Sequence, residues 1–128
     1  EQEVSVQDWY LAGHSLGGVM AASFAADQSD EVAGLIFLAA YPSGDLTDAP
    51  FPVLSISGSE DDVLNRESYG AAQVKLPDDY TEIVLEGGNH GQFGDYGTQS
   101  GDGTATIATV QQQQQTVEAI TTFIEKNR

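Results

Sequence analysis

The sequence predicts an α/β fold in which flanking helices cover a mainly parallel sheet, with about four strands and three helices. Apolar segments typical of strands alternate along the chain with helical patterns, which is the order that parallel pairing requires. The segment 34–40 is apolar without alternation, as in a strand buried on both faces. A third observation is the glycine-rich turn at residues 13–18, which follows a short apolar strand and precedes a helical pattern.

The predicted strands are short apolar segments, and they lie at residues 9–12, 34–40, 53–57 and 81–85. A helix is predicted after the first strand because apolar residues recur there at helical spacing among alanines. These residues are Leu16, Val19, Met20 and Phe24. A second helix is predicted over residues 65–74, although Gly70 weakens it.

The third helix is predicted from about residue 110 to the end of the chain. Its predicted buried stripe consists of Val117, Ile120, Phe123 and Ile124. The helix begins with a run of glutamines at residues 111–115. We interpret this run as a solvated helix start, because glutamine is a good helix former.

The composition is strongly acidic, since twenty acidic residues oppose four basic ones and give a net charge of −16 at pH 7. Such a chain repels nucleic acid and anionic membranes, because phosphate binding needs clustered Lys and Arg. No apolar stretch approaches the roughly 18–20 residues of a membrane span. We therefore expect a soluble protein, cytoplasmic or secreted, with no nucleic-acid partner. The absence of cysteine excludes disulfides, Cys-ligated zinc and a cysteine nucleophile.

The turn after the first strand reads Gly13-His14-Ser15-Leu16-Gly17, which satisfies the pattern G-x-S-x-G. A nucleophile elbow places serine on a sharp strand-to-helix turn, where crowding favours glycine two residues before and two residues after it. The serine Oγ then projects from the C-terminal edge of the sheet, and the next backbone N–H can stabilise developing negative charge. The context predicts Ser15 as a nucleophile and Leu16 as an oxyanion-hole residue.

A serine hydroxyl becomes a good nucleophile only when a neighbouring base takes its proton. The chain has two histidines. His14 lies inside the turn, where we expect packing or contact with a substrate. His90 follows the last predicted strand and lies near the start of a long loop, residues 87–103, that contains seven glycines. His90 is therefore predicted as the base, carried back to the sheet edge by a loop that its glycines make adaptable.

A carboxylate that follows a strand between the serine and the histidine would orient the base. Glu60, Asp61 and Asp62 follow the strand predicted at residues 53–57, at the same edge of the sheet. Three adjacent acids leave the choice open at this point. We favour Asp61, then Asp62, then Glu60.

The chain resembles the C-terminal half of a bacterial α/β-hydrolase-fold protein of the small, dienelactone-hydrolase-like kind. The resemblance rests on residues 13–18, on the Gly-x-x-Asp pattern at 58–61, on residues 87–97, and on the order serine, aspartate, histidine. In such families the Gly-x-x-Asp aspartate is the acid of the triad, which supports Asp61. The resemblance implies a carboxylesterase-like serine hydrolase that cleaves esters or thioesters of small molecules through an acyl-enzyme, without a cofactor.

This family's fold typically has about eight strands, so the resemblance also implies that residues 1–128 are a single domain lacking its N-terminal strands. The missing half would supply the second oxyanion-hole amide. The first strand would present an unpaired apolar edge, which we expect to pair with that missing half or with a second copy of the chain.

Two other functions fit the same residues. A non-catalytic binding protein would keep the fold without a working oxyanion hole, and an acyltransferase would use the same triad with an acceptor other than water. In the long loop, Phe93 and Tyr96 are predicted to pack the loop down or to line the acyl side of the pocket. Asp95 and Asp102 could supply oxygen ligands for calcium, but the prediction is that the loop holds no metal.

Overall fold

The computed structural model describes residues 9–94 and 100–127 of the chain. Within these ranges, four parallel strands form one sheet in the order β1-β2-β3-β4. The strands are β1 (Trp9–His14), β2 (Val32–Leu38), β3 (Val53–Gly58) and β4 (Tyr80–Leu85). The helices are α1 (Leu16–Asp27), α2 (Arg66–Ala72) and α3 (Thr109–Lys126). The predicted fold class, a parallel sheet with flanking helices, is confirmed.

The core lies on both faces of the two central strands. One apolar cluster joins β2 and β3 to α1, and its members include Ala22, Ala25, Leu35, Phe37 and Val53. The other lies on the α3 side and contains Ile36, Leu54, Ile56, Leu85 and Phe123. Because both faces are covered, β2 has a continuous apolar sequence instead of the alternation of a half-exposed strand. All six residues of β3 are buried too, although Ser55 and Ser57 interrupt its apolar sequence.

The helix α1 packs through its small residues, although larger apolar residues predicted it. Its buried positions are Gly18, Ala22 and Ala25. By contrast, the side chains of Leu16, Met20 and Phe24 are 70%, 66% and 57% exposed. The reason is close approach, since a Cβ on Gly18 would collide with Ala40. The large residues therefore form an outer apolar stripe, which we define as Leu16, Met20 and Phe24.

The buried stripe predicted for α3 is partly wrong. Val117 is 61% exposed, whereas Gln112, Thr116 and Phe123 are the buried residues of this helix. Our interpretation of residues 111–115 as solvated is also wrong at one position, because Gln112 has no exposed surface. The error has a physical cause: a glutamine can be buried when hydrogen bonds satisfy its carboxamide. Periodicity of apolar residues alone does not detect such a position.

The strand β1 is an edge of the sheet in the described part of the chain. It pairs with β2 on one side, from Trp9↔Val32 to His14↔Leu38, and has no partner there on the other side. Phe24, one residue of the outer apolar stripe of α1, lines the same cleft as Trp9 and Leu11 of this strand. Among the described helices, none combines the length and apolar character needed to cross a membrane.

Two adjacent glycines at the start of α1 allow a matched test of this packing. Gly18→Ala is expected to lower the free energy of unfolding by about 1–3 kcal/mol, because the added methyl overfills the contact with β2 and Ala40. Gly17→Ala is expected to leave it unchanged or to raise it by less than about 1 kcal/mol, since its Cβ would meet no described atom within 4 Å. Urea unfolding followed by circular dichroism measures both changes. Equal losses in the two variants would contradict this account.

Candidate active site

Ser15 occupies a sharp turn between β1 and α1. Its backbone has φ 58° and ψ −123°, a left-handed conformation that costs a non-glycine residue about 1–3 kcal/mol. The turn is held from both sides, because the Ser15 N–H donates to the carbonyl of Leu38 at 3.0 Å and the Ser15 carbonyl accepts from Gly18 at 2.9 Å. Such strain, maintained by the surrounding structure, is typical of functional sites.

The glycines of the turn do not contribute equally. A Cβ on Gly13 would overlap the carbonyl of Gly17, so the first glycine allows the helix to begin directly against the strand. The expectation that crowding also requires the second glycine of the motif is not met in the described residues, where the space around Gly17 is open. The crowded position is Gly18, one residue later.

Leu16 is the first residue of α1. Its backbone N–H therefore belongs to the first turn, where amides have no acceptor within the helix and where the helix dipole is positive. The amide directly follows Ser15, which is the position that an oxyanion-hole donor requires. Its participation in a reaction stays a prediction.

Asp61 and His90 form a buried pair at the end of the sheet. The Nδ1 atom of the His90 imidazole lies 2.8 Å from Asp61 Oδ2. His90 is 1% exposed and Asp61 is 3% exposed. The other carboxylate oxygen of Asp61 accepts the backbone N–H groups of Val63 at 2.9 Å and Leu64 at 2.8 Å. The carboxylate is thus fully hydrogen-bonded and fixes the direction of the imidazole ring.

Of the three adjacent acids, Asp61 is the one that contacts the imidazole. Glu60 accepts a hydrogen bond from the hydroxyl of Ser59 at 3.0 Å, and Asp62 is exposed. The geometry therefore follows the first choice made from the sequence. Its catalytic meaning remains a proposal.

The ionisation of Asp61 determines the tautomer of His90. Burial raises the pKa of the Asp61 carboxyl, but the hydrogen bonds from His90 and from the amides of Leu64 and Val63 outweigh burial and hold this pKa below its ordinary value. An ionised carboxylate only accepts hydrogen bonds, so Nδ1 of the neutral imidazole carries the proton. Nε2 is then unprotonated and can act as a base.

The Nε2 atom of His90 is buried and has no hydrogen-bond partner among the residues that the structure describes. Ser15 therefore does not hydrogen-bond to this nitrogen in this conformation. Apo active sites are often looser than substrate complexes. A buried polar atom without a partner is uncommon in folded proteins and requires an explanation.

His14 connects the turn of Ser15 to the loop of His90. Its Nε2 donates to the carbonyl of His90 at 3.0 Å, and the two imidazole ring centroids are 4.7 Å apart. The ring also lies 5.8 Å from that of Phe93, which packs partly against the α3 cluster. These contacts fit the packing role expected for His14 and Phe93. Contact with a substrate stays a prediction for both, and Tyr96 and Asp95 lie outside the described residues.

Burial lowers the pKa of His14, and the neighbouring His90 imidazole lowers it further. The hydrogen bond to the His90 carbonyl and the carboxylates of Asp61 and Asp102 act in the opposite direction but do not reverse the shift. His14 is thus kept neutral beside the imidazole that has to accept a proton. Two positive imidazoles at this separation would repel each other.

Side chains hold five consecutive main-chain groups around His90. Gln112 accepts from the N–H of Asn89 at 3.1 Å and donates to its carbonyl at 2.8 Å. Asp102 accepts from the N–H groups of His90 at 3.1 Å and Gly91 at 2.8 Å. His14 completes the set at the His90 carbonyl. The main chain of residues 89–91 is therefore firmly held, so this described part of the loop is not the adaptable segment that its glycines suggested.

The sequence reasoning missed Gln112 as a functional candidate and considered Asp102 only as a possible calcium ligand. Both oxygens of Asp102 instead accept main-chain N–H groups. In the described ranges, no group of three or more histidines and carboxylates is arranged to hold a metal ion. One signal could have indicated Gln112: it lies four residues before Thr116 and eleven before Phe123, on the face of α3 that is buried.

A family model described as "Alpha/beta hydrolase family" matches residues 1–115. The chain belongs to this family. No curated protein matches its sequence. Among solved structures, the α/β-hydrolase fold of this chain is similar to that of the esterase RhEst1 from Rhodococcus sp. ECU1013, with a TM-score of 0.68 and 15% identity over 93% of this chain and 66% of that one.

Two further α/β-hydrolase-like structures match over smaller parts. A predicted CIB-like hydrolase from Thermoplasma acidophilum is 22% identical, with a TM-score of 0.59, over 69% of this chain and 44% of that one. An alpha-beta serine hydrolase homologue from Coxiella burnetii is 31% identical, with a TM-score of 0.51, over 63% of this chain and 40% of that one. The chain thus spans less than two thirds of the length of each of these three proteins.

The lowered pKa of His14 predicts a pH dependence of stability. Because the unfolded chain binds this proton more tightly than the folded one, stability is lost as the pH falls through the ordinary value of 6.5 towards the lower folded value. His14→Gln keeps a donor for the His90 carbonyl and does not titrate, so its melting temperature should fall less than that of the wild type between pH 7.5 and pH 5.5. Thermal scans across this range measure the difference. If the melting temperatures of the wild type and of His14→Gln fall equally over this range, His14 is not responsible for the pH dependence.

Proposed function

We propose that this α/β-hydrolase is a serine hydrolase that cleaves carboxylic ester or thioester bonds through an acyl-enzyme, with Ser15 as nucleophile, His90 as base and Asp61 as the orienting acid. The observation that carries the proposal is the buried hydrogen bond between Asp61 and His90, which leaves Nε2 without a hydrogen-bond partner among the described residues. That atom belongs to a loop in direct contact with His14, the residue that precedes Ser15.

The proposed reaction uses these groups in turn. His90 Nε2 takes the hydroxyl proton while Ser15 Oγ attacks the carbonyl carbon of the substrate, and the ionised Asp61 stabilises the imidazolium. The N–H of Leu16 donates to the oxyanion of the tetrahedral intermediate. His90 then gives its proton to the leaving alcohol or thiol. Water, activated by the same imidazole, releases the acid and restores Ser15.

The comparisons support the ester class of substrate. The chain is similar in fold to an esterase from Rhodococcus and to a monoacylglycerol lipase from Paleococcus ferrophilus, although the identity is 15% in each case. At such identity the support concerns the reaction class and not a particular substrate. An acyltransferase using the same three residues differs only in the acceptor, and product analysis with added alcohols distinguishes it from a hydrolase.

We also propose that residues 1–128 are the C-terminal part of an α/β-hydrolase domain whose N-terminal strands, or a second copy of this chain, pair with β1. Three observations support this: the open edge of β1, the exposed outer apolar stripe of α1, and the greater length of the matched structures. A second oxyanion-hole donor would come from the missing strands. Loss of one such donor costs about 10²–10³ in rate.

The triad assignment is tested by covalent labelling with a fluorophosphonate, which requires an activated serine. Ser15→Ala should abolish labelling, and Asp61→Asn should slow it by about 10⁴-fold because it favours the wrong imidazole tautomer. Asp62→Asn is the matched control, since it removes the neighbouring charge without removing a hydrogen bond to His90. A folded wild-type chain that does not react would refute the proposed function for this chain and favour a binding role.

The open edge of β1 predicts the behaviour of its amides. In a monomer the outward-facing N–H groups of residues 9–12 should exchange with solvent within the dead time of the experiment, while those of β2 and β3 stay protected. Light scattering establishes the oligomeric state, and hydrogen exchange is read by NMR. Slow exchange at this edge in a dimer would identify a second copy as the partner. Slow exchange in a monomer would contradict the open edge.

A further inference from the structure

The carboxamide of Gln112 is the buried end of a connection from α3 to the loop of His90. Its side chain has no exposed surface. The amide pairs with both peptide groups of Asn89, accepting its N–H at 3.1 Å and donating to its carbonyl at 2.8 Å. The same Oε1 accepts the side-chain amide of Gln92 at 2.8 Å. Gln112 therefore binds this short segment of main chain as a neighbouring strand would.

The position is distinct within the glutamine run. Gln111 and Gln114 are exposed, whereas Gln112 is completely buried on the same helix. Burial of an amide is unfavourable unless its hydrogen bonds are replaced, and here the partners are supplied by the loop. The approach is close, because a Cβ on Gly88 would lie 2.8 Å from the Oε1 of Gln112. The glycine and the glutamine fit each other.

Asn89 directly precedes His90, so its main chain sets the direction from which the imidazole leaves the backbone. Gln112 fixes both peptide groups of Asn89, and Asp102 fixes the next two N–H groups. The Asp61 hydrogen bond fixes one ring nitrogen of His90. With the backbone and Nδ1 both held, the position of Nε2 is determined, since the side chain has only two rotatable bonds.

We propose that Gln112 is a positioning residue for His90: by binding the main chain of Asn89, it holds Nε2 where the proton of Ser15 has to be received. This inference rests on the proposed function of the site. None of the hydrogen bonds that the structure describes for the Gln112 side chain goes to Ser15, Asp61 or His90, so its effect on the imidazole runs through the main chain of Asn89. Displacement of a catalytic group by about 1 Å can cost about 100-fold in rate.

Three variants separate positioning from general stability. Gln112→Met keeps the length of the side chain and removes both hydrogen bonds to Asn89. Gln112→Glu keeps an acceptor for the N–H of Asn89 but places an oxygen against the Asn89 carbonyl. This second variant is used if Gln112→Met fails to fold. Gln114→Met is the matched control, because it makes the same chemical change at an exposed position of the same run.

The first readout is independent of catalysis. The Nδ1 proton of His90, hydrogen-bonded to a buried carboxylate, should give a low-field proton NMR signal in the wild type and in Gln114→Met. The signal should shift, broaden or disappear in Gln112→Met and in Gln112→Glu, while the melting curve still shows a folded protein. An unchanged signal in a folded Gln112 variant would overturn the inference, even if the wild-type chain proved unreactive and the proposed function failed.

The second readout is the kinetics of fluorophosphonate labelling. The first-order rate of labelling should fall about 10- to 100-fold in Gln112→Met, and the concentration for half-maximal rate should stay the same. Gln114→Met should match the wild type in both constants. A reactive wild type with an equally reactive Gln112→Met would overturn the inference and leave the triad assignment intact.

Discussion

The candidate site depends on parallel strand pairing, which directs the carboxyl ends of all four described strands to one edge. Pairing continues just beyond the strands: the N–H of Ser15 donates to Leu38, that of Ala39 to Ile56, and that of Ser59 to Leu85. Each turn is thereby attached to its neighbour. Residues 61 and 90 meet because β3 and β4 are adjacent and in register, with Gly58 opposite Leu85. The Asp61–His90 hydrogen bond is a consequence of this register.

Polar side chains of α2 also hold the turn that carries Asp61. Arg66 donates to the carbonyl of Gly58 and lies over the ring of Tyr69. The hydroxyl of Tyr69 donates to Glu82 at 2.8 Å and accepts from Ser55 at 2.7 Å, which connects α2 to β3 and β4. Burial raises the pKa of Tyr69, so this hydroxyl stays protonated and keeps its donor role. The acceptor for this hydroxyl is thus a carboxylate of β4 that is itself exposed.

What could be predicted from the sequence was local. The strands, the helices, the turn of Ser15 and the acid after β3 are each encoded within a few neighbouring residues, and Asp61 was already the preferred acid. What could not be predicted depends on contacts between distant segments. Gln112 is 23 residues from Asn89, and within a run of identical side chains only its spacing from Thr116 and Phe123 distinguishes the one that is buried. The helix α1 is a related case, since apolar spacing correctly predicted the helix but does not identify the face that packs.

The chain contains one tryptophan, and its place in the fold has a spectroscopic consequence. Trp9 begins β1 at the open edge and is 55% exposed. Its environment in the folded chain is therefore already largely aqueous, so unfolding changes the emission of its indole only a little. Any strand that covers the edge removes water from the ring. Intrinsic fluorescence is thus a weak monitor of denaturation in this protein and a sensitive monitor of what binds beside β1.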